Sequence, residues 1–527
     1  MRTFLFNIIK MKKLKLVSLA IAMACATPSL AGGLLTNTNQ HVAFNRMMSR
    51  EASIGIDGVY YNPAGVVFMG EGKHLAINWQ LAYQTRSIEN DYPLFTNNVN
   101  NPTTPREFKG KAFAPVIPSF QYAYNKGRWS LQAGFALTGG GGKCTFYDGL
   151  GSFEKIVAET ALAACQLAGA VDQVAAQYRV PAVFTNNDKF GKEGKYSYNS
   201  YMHGRQYYYG LSLGAAYKFS DNFSAFAGVR GVYASTNYYG YVENIKVGAM
   251  PLYMVLDPTK ETAANIELSC DQSGVGFTPI IGVDFKTGKW NFAAKYEFKT
   301  RIRLKNKSVN QAPSIGNLPD NLRNAYIAGG VPEAAADAII GNPVIQGAMG
   351  QLKTQFDAKL EEAIGEYEDG KKIAGDIPAY LALGVGYSPV NAVRVNVGFH
   401  WFDDKHATSY NNRQEKLDRG TLEYNAGIEV DVNKKITLST GWQNTNYGLS
   451  EEYMDDKSFV VSSNSAAIGG VYHINKKMDL NVAYFHTFYQ HKKTSEKVQL
   501  TEQKNINYSS DYTRNNNVFA VGLDINF

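Results

Sequence analysis

Past its first thirty residues the chain has no apolar run near the ~20 residues a spanning helix needs, which excludes helical passage through a membrane. Cysteine is scarce. Of the four, Cys25 falls in the N-terminal leader-like stretch, and Cys144, Cys165 and Cys270 show no metal-ligand spacing and form an odd set. They define neither a zinc site nor a disulfide framework, although one disulfide with one thiol over stays open in an oxidising compartment. Charge of one sign is also lacking. Five of the 53 basic residues lie within residues 1–31, and without them 48 basic residues face 46 acidic ones. Such a balance offers no basic face to nucleic acid. Catalytic signatures are missing as well: the eight histidines are scattered, with no His-Glu-x-x-His run and no Gly-x-Ser-x-Gly elbow. The chain is therefore read as a non-enzyme, and no metal or cofactor is expected.

What is present begins with a leader. Lys12, Lys13 and Lys15 precede an apolar run from Leu16 to Ala24, and Ser29-Leu30-Ala31 supplies the small residues of a cleavage site, so residues 1–31 are expected to be a signal peptide. Aromatics make up 13% of the chain, with 34 tyrosines and 28 phenylalanines. Many fall in strict alternation. Phe519, Val521, Leu523, Ile525 and Phe527 alternate with Ala520, Gly522, Asp524 and Asn526. Trp129, Leu131, Ala133, Phe135 and Leu137 alternate with small or polar residues, and so do Val393, Val395, Val397, Phe399 and Trp401, and Ile436, Leu438, Thr440 and Trp442. Side chains of a strand point to opposite faces in turn, so each segment is oily on one side and small or polar on the other. In a membrane barrel the oily face meets lipid and the other lines the lumen.

Short turns are marked around Gly127, Asp221-Asn222, Thr287-Gly288, Pro389, Asn433-Lys434 and Asn475-Lys476, and longer polar segments separate the pairs of strands between them. Two strands about each short turn, plus one at each end, predict about fourteen antiparallel strands, all-β, spanning residues 74–527. Two long connections, near 152–180 and 331–368, carry helical periodicity instead. Their apolar stripes need a partner, either the barrel mouth or each other, because helices this short are marginal alone.

The segment 32–73 is too long for a tail. It ends in Tyr60-Tyr61-Asn62-Pro63-Ala64-Gly65, in which a fixed-φ proline and a permissive glycine predict a tight turn. The run Gly139-Gly140-Gly141-Gly142 sits at the end of a predicted strand, where glycines permit a bulge or bend or simply loosen a loop. It is not a phosphate cradle, since Lys143 is followed by Cys144. Arg230 and Arg394 fall on predicted inward faces. Either would suit a ligand carboxylate, or more commonly a neighbouring acid.

The stretch Ser49-Arg50-Glu51-Ala52-Ser53 leading to Asn62-Pro63-Ala64-Gly65 resembles the hatch signature of the FadL/TodX family of outer-membrane transporters. Arg128 to Thr138, the glycine run and Cys144-Thr145-Phe146-Tyr147-Asp148 are similar to that family's third strand, and the terminal Phe527 matches the ending read by the outer-membrane assembly machinery. The chain departs from the family pattern in having a single acid, Asp57, where paired aspartates precede the turn. The resemblance implies a monomeric fourteen-stranded barrel in the outer membrane of a Gram-negative bacterium, with residues 32–73 as a hatch inside it. It also implies outer-membrane lipid around the wall, passive transport of a long-chain fatty acid or aromatic hydrocarbon, and lateral release at a kinked third strand, for which Gly139 to Gly142 are the candidates. A general diffusion porin and a surface adhesin or structural barrel are the alternatives.

Overall fold

The computed structural model describes residues 34–501 and 504–527; the expected leader lies outside the described residues. The alternating segments form one antiparallel sheet of eighteen strand segments. These are β1 (Gly72–Asp91), β2 (Arg106–Lys126), β3 (Trp129–Phe146), β4 (Tyr196–Lys218), β5 (Phe223–Val247), β6 (Met250–Pro251), β7 (Ile266–Thr287), β8 (Trp290–Glu297), β9 (Arg303–Gln311), β10 (Lys372–Ala374), β11 (Tyr380–Val390), β12 (Val393–Phe402), β13 (Leu422–Asn433), β14 (Ile436–Asn446), β15 (Ser463–Asn475), β16 (Met478–Tyr489), β17 (Lys492–Thr501) and β18 (Lys504–Asn526). β6 is a two-residue spur on β5, β8 runs on into β9, β10 into β11 and β16 into β17, which leaves fourteen staves. The ring is closed by its ends: His74 of β1 faces Asn526 of β18, and the ladder continues to Asp91 opposite Ser509. Closure gives every edge a partner, the condition for placing strands in hydrocarbon.

Period-two alternation decides which face each residue takes. On β1, Ile77, Trp79 and Tyr83 are exposed, while Ala76, Asn78, Gln80, Ala82 and Gln84 between them are buried in the bore. Trp129, Leu131, Leu438, Trp442 and Phe519 are exposed in the same way. A continuous belt of exposed aliphatic and aromatic side chains around a closed barrel is a lipid-facing surface. At one end neighbouring staves are joined by short turns at all six sequence-marked places; β11 runs through Pro389, so that turn falls at residues 391–392. The other end carries the long connections. One holds the helix Gly151–Gln177, and another the helices Leu318–Ala328, Glu333–Ile340 and Pro343–Ile364.

Residues 36–53 and 56–67 are buried against the inner faces of the staves. The helix Val42–Met47 is buried on every residue and lies against β13, β14, β15, β16, β18 and β1. The single turns Ile56–Val59 and Gly65–Phe68 reach the other wall at β2, β3, β4 and β7.

Candidate functional site

The segment in the bore is held to the wall all round by polar contacts. Asn62 Nδ2 donates to Asp284 Oδ2 of β7 at 2.6 Å and to Ser53 O at 3.2 Å, and Asn62 Oδ1 accepts from Gly65 N at 3.1 Å. The carbonyls that follow are taken by the wall: Pro63 O accepts from Gln132 Nε2 at 2.7 Å, and Ala64 O from Ser224 Oγ at 2.7 Å. The sequence-marked turn Asn62 to Gly65 is thus where the segment fastens to β3, β5 and β7.

On the opposite side the fastening is ionic. His400 of β12 lies fully buried between two carboxylates, with Nε2 2.8 Å from Glu51 Oε1 and Nδ1 2.8 Å from Glu423 Oε2. A ring that donates from both nitrogens is an imidazolium. Burial pushes the Glu51 carboxyl up, but the His400 ring, the Arg50 amide and the Ser49 hydroxyl hold it below its usual range. Arg46 pairs with Glu429 of β13 and bonds Ser439 Oγ at 3.0 Å and Asn481 Oδ1 at 3.2 Å. Arg50 Nε sits 2.7 Å from Asp57 Oδ2, bracing the segment internally. Burial raises the Asp57 carboxyl, and the Arg50 guanidinium more than offsets it. The wall makes room for this close approach: a Cβ at Gly441 would stand 1.7 Å from Met47 O.

The two arginines singled out in sequence both face the bore, and both are engaged. Arg230 forms a bidentate pair with Glu297, at 2.5 and 3.0 Å. Arg394 bonds Glu429 at 2.8 Å and Asp431 at 2.5 and 2.8 Å. Each guanidinium fork is filled by wall carboxylates, the commoner of the two roles considered for them.

Gly139 to Gly142 lie inside β3, where the wall's pairing fails. β2 and β3 are in register from Lys126–Trp129 to Phe120–Phe135 and again from Ala112–Cys144 to Gly110–Phe146, with no ladder between. On its other side β3 stays paired to β4 but slips twice, between Leu137 and Gly139 and between Gly140 and Gly142. Gly140 has φ +71°, and a Cβ there would meet Gln206 O at 2.4 Å, so glycine is required. The backbone that β2 leaves unpaired is taken up from inside. Asn37 N donates to Thr138 O at 2.9 Å, and its amide Nδ2 to Gly140 O at 2.7 Å and Leu137 O at 3.3 Å, while Thr36 bridges to Gly139. β2 contributes Pro115 and Pro118 to the same gap, two residues without an N–H to donate. Trp79 Nε1 satisfies Pro115 O at 2.9 Å. Phe113, Val116 and Phe120 are exposed outside this seam; Ala114, Ile117 and Leu137 pack inside it with Phe44, Tyr60 and Tyr61.

The two ends of the bore differ in chemistry. At the loop end a narrow apolar groove of about 80 Å³ lies between the helical connections, lined by Leu167, Phe184, Val255, Leu318, Leu322 and Phe356 among others. Asp172 holds these connections together: its carboxylate accepts from Val183 N at 2.9 Å, Phe184 N at 3.1 Å and Thr185 N at 2.8 Å, and from Tyr326 OH at 3.1 Å. At the turn end a larger space, about 510 Å³, is lined by Arg46, Arg50, Arg394, Glu429, Asp431 and Asp479 among others. Cys144, Cys165 and Cys270 are buried free thiols, and no group of metal ligands occurs among the described residues.

Sequence reading missed Asn37, the Glu51–His400–Glu423 contact and the two prolines of β2. The prolines carried a usable signal, because Pro115 and Pro118 interrupt an otherwise alternating strand. The partners of Asn37 and Glu51 are about a hundred and about 350 residues away in sequence and left no local trace.

Among solved structures the chain is similar to a Pseudomonas aeruginosa FadL homologue, with TM-score 0.59 and 13% identity over 94% of this chain and 100% of that one. It is also similar to a TodX mutant described as a monoaromatic hydrocarbon channel, with TM-score 0.50 and 14% identity over 92% of this chain and 99% of that one. These likenesses establish a shared fold along nearly the whole length of each chain. No family model and no curated protein matches the sequence.

Proposed function

We propose that this protein is an outer-membrane channel of the FadL/TodX kind in a Gram-negative bacterium, with residues 32–73 as its hatch. In this reading it passes long-chain fatty acids or comparable hydrophobic molecules from the loop end into the barrel and releases them sideways between β2 and β3. The observation that carries the reading is the gap in the β2–β3 ladder, where the backbone of β3 pairs with Asn37 of the hatch instead of with the wall. A wall that pairs with its own plug can part there without breaking a complete ladder.

The contrast between the two ends of the bore supports the direction of exit. A hydrophobic molecule is received by an apolar groove at the loop end, whereas the turn end presents charged groups. Leaving through the polar end would re-expose about 0.8 kcal/mol per CH2, or ~12 kcal/mol for a chain of ~15 methylenes, which lateral passage into lipid avoids. Phe113, Val116 and Phe120 offer an apolar path on the outside. Because the hatch fills the bore, this reading predicts little aqueous conductance, unlike a general porin. The adhesin alternative has only the length of the loop-end connections in its favour.

Uptake of a labelled long-chain fatty acid by cells in which this barrel is the sole channel for it, together with single-channel conductance of the purified protein, tests the proposal. Fast uptake with small conductance is expected, and Gly140→Val should cut uptake severalfold while the barrel keeps its heat-resistant gel mobility. A large open-channel conductance would point to a porin, and undiminished uptake by the folded Gly140→Val variant would remove the lateral route.

A further inference from the structure

Towards the loop end the outer surface of the barrel changes character, most sharply on β9 and the residues leading into it. The run from Arg301 to Lys307 alternates as a strand does: Ile302, Leu304 and Asn306 are buried on the bore side, and Arg301, Arg303, Lys305 and Lys307 are exposed on the outside. Four cations thus stand in one column. Lys372 of β10 is exposed directly opposite Lys305, so two like charges face each other across the ladder, an arrangement that destabilises a sheet. The neighbouring acids are engaged elsewhere or on one member alone. Asp376 meets Arg303 Nη1 at 2.8 Å and Lys299 Nζ at 3.8 Å, and Asp271, across the ladder from Lys307, accepts from Asn237 Nδ2 at 2.8 Å. Among the described residues Arg301, Lys305, Lys307 and Lys372 form no ion pair.

The height of the column says what it faces. On β8 and just beyond it, the exposed rings of Trp290 and Phe298 differ by ~20 Å in height, at ~3.3 Å per residue along a strand tilted by ~40°, against an apolar band of ~25 Å. Arg301 therefore lies at the outer boundary of the hydrocarbon, and by the same rise Lys307 stands ~15 Å above it. On β7, Ser273 faces Lys305, and the next outward residues towards the turn end, Val275 and Phe277, are 65% and 69% exposed. Lipid-facing surface thus runs directly into cationic surface. Beside the column the outer face carries hydroxyls: Ser273 is opposite Ser235, and Ser235 opposite Tyr207. A column of cations that begins at the lipid boundary and climbs away from it matches a lipid whose head is both tall and polyanionic. A phospholipid with one phosphate at the boundary would reach Arg301 and Arg303 and leave Lys305, Lys307 and Lys372 unanswered.

We propose that the outer face of β9 and β10 seats a phosphorylated glycolipid of the outer leaflet. Its acyl chains lie on Val275, Phe277 and Phe298, its lowest phosphate meets Arg301 and Arg303, and phosphates on the sugars above meet Lys305, Lys307 and Lys372. The planar guanidinium fork suits a phosphate held at a fixed height, and the flexible ammonium groups suit phosphates placed higher in the head. Bound phosphate also relieves the repulsion between Lys305 and Lys372. The site is on the outside of the barrel, apart from the bore and from whatever passes through it, and requires only that the loop end face outward.

The test is native mass spectrometry of the purified full-length barrel titrated with lipid A bearing inner-core sugars, with phosphatidylglycerol and with inorganic phosphate. The wild type is expected to hold the glycolipid at least tenfold more tightly than phosphatidylglycerol, and equimolar inorganic phosphate should not displace it. The combined substitution Lys305→Gln, Lys307→Gln and Lys372→Gln should weaken glycolipid binding at least tenfold, with phosphatidylglycerol binding within twofold of wild type and the heat-resistant gel mobility retained. A control combining Lys434→Gln, Lys435→Gln and Lys476→Gln removes the same charge from exposed positions at the turn end and should leave glycolipid binding as it is. Equal affinity of the wild type for the two lipids, displacement by inorganic phosphate, glycolipid binding unchanged by the β9–β10 substitutions, or an equal loss in the control overturns the glycolipid seat while leaving the channel reading standing.

Discussion

Replacing His400 by leucine tests whether the hatch is held by buried ion pairs. Leucine has a similar volume and would pack between the rings of Tyr380 and Phe402, whose centroids lie 5.2 and 6.2 Å from the imidazole. What disappears is the positive charge between Glu51 and Glu423. Glu423 keeps Gln443 Nε2 at 2.5 Å and Thr445 Oγ1 at 2.6 Å. Among the described residues Glu51 keeps only hydrogen bonds within the Ser49–Glu51 turn and a long one from Asn425 Nδ2 at 3.5 Å. Removing one partner of a buried ion pair costs about 3–5 kcal/mol, because the remaining charge stays out of water. The barrel ladder does not pass through this contact, so the cost falls on the hatch. At ~1.4 kcal/mol per tenfold, local opening should become roughly a hundred- to four-thousandfold more frequent. Hydrogen exchange over residues 49–55 reads this directly, since a local opening exposes those amides without unfolding the wall. A second substitution, Glu51→Gln, should restore much of the lost protection by neutralising the stranded acid. Unchanged exchange over 49–55 in folded His400→Leu protein would refute the argument that the imidazolium fastens the hatch.

Two further outcomes follow from the loop end. Asp404 is buried in the connection after β12, accepts from Thr421 N at 2.8 Å and Leu34 N at 3.4 Å, and burial pushes its carboxyl up to about 6. An acid raised on folding contributes stability that is full below its ordinary value near ~4 and lost as pH rises through about 6, here at most ~3 kcal/mol. Exchange protection of residues 403–421 should therefore be greater at pH 5 than at pH 8, and Asp404→Asn should abolish the difference; equal protection at both pH values in wild type would count against it. In the apolar groove, Leu167→Gln should raise the half-saturating fatty-acid concentration for uptake about tenfold, from a loss of ~1.5 kcal/mol of apolar contact. An unaltered uptake curve would show that ligand does not enter by the groove.

Much of the architecture could be read locally. The alternation of Trp129 to Phe135 or of Phe519 to Phe527 marks the outward face, because strand geometry turns neighbours to opposite faces; at Leu137, expected to face outward, it fails, since the register slip at the glycine run leaves that side chain buried against the segment in the bore. The six short turns fixed the stave count, and Asn62 to Gly65 announced a turn that proved to be a fastening point. The partners of Arg230 and Arg394, namely Glu297, Glu429 and Asp431, were not nameable from the sequence. The glycine run marked where β3 could bend without saying that the strand would continue through it.

Periodicity and turn chemistry, which act over a few residues, therefore determined a closed barrel with oily staves and a segment to spare at its beginning. Only the tertiary structure decided that Asn37 takes the backbone β2 leaves unpaired, that His400 stands between Glu51 and Glu423, and that Arg86 faces Arg514 with no acid bonded to it among the described residues. Those are encounters between residues up to several hundred positions apart, set by the register in which the ring closes, and no local pattern encodes that register.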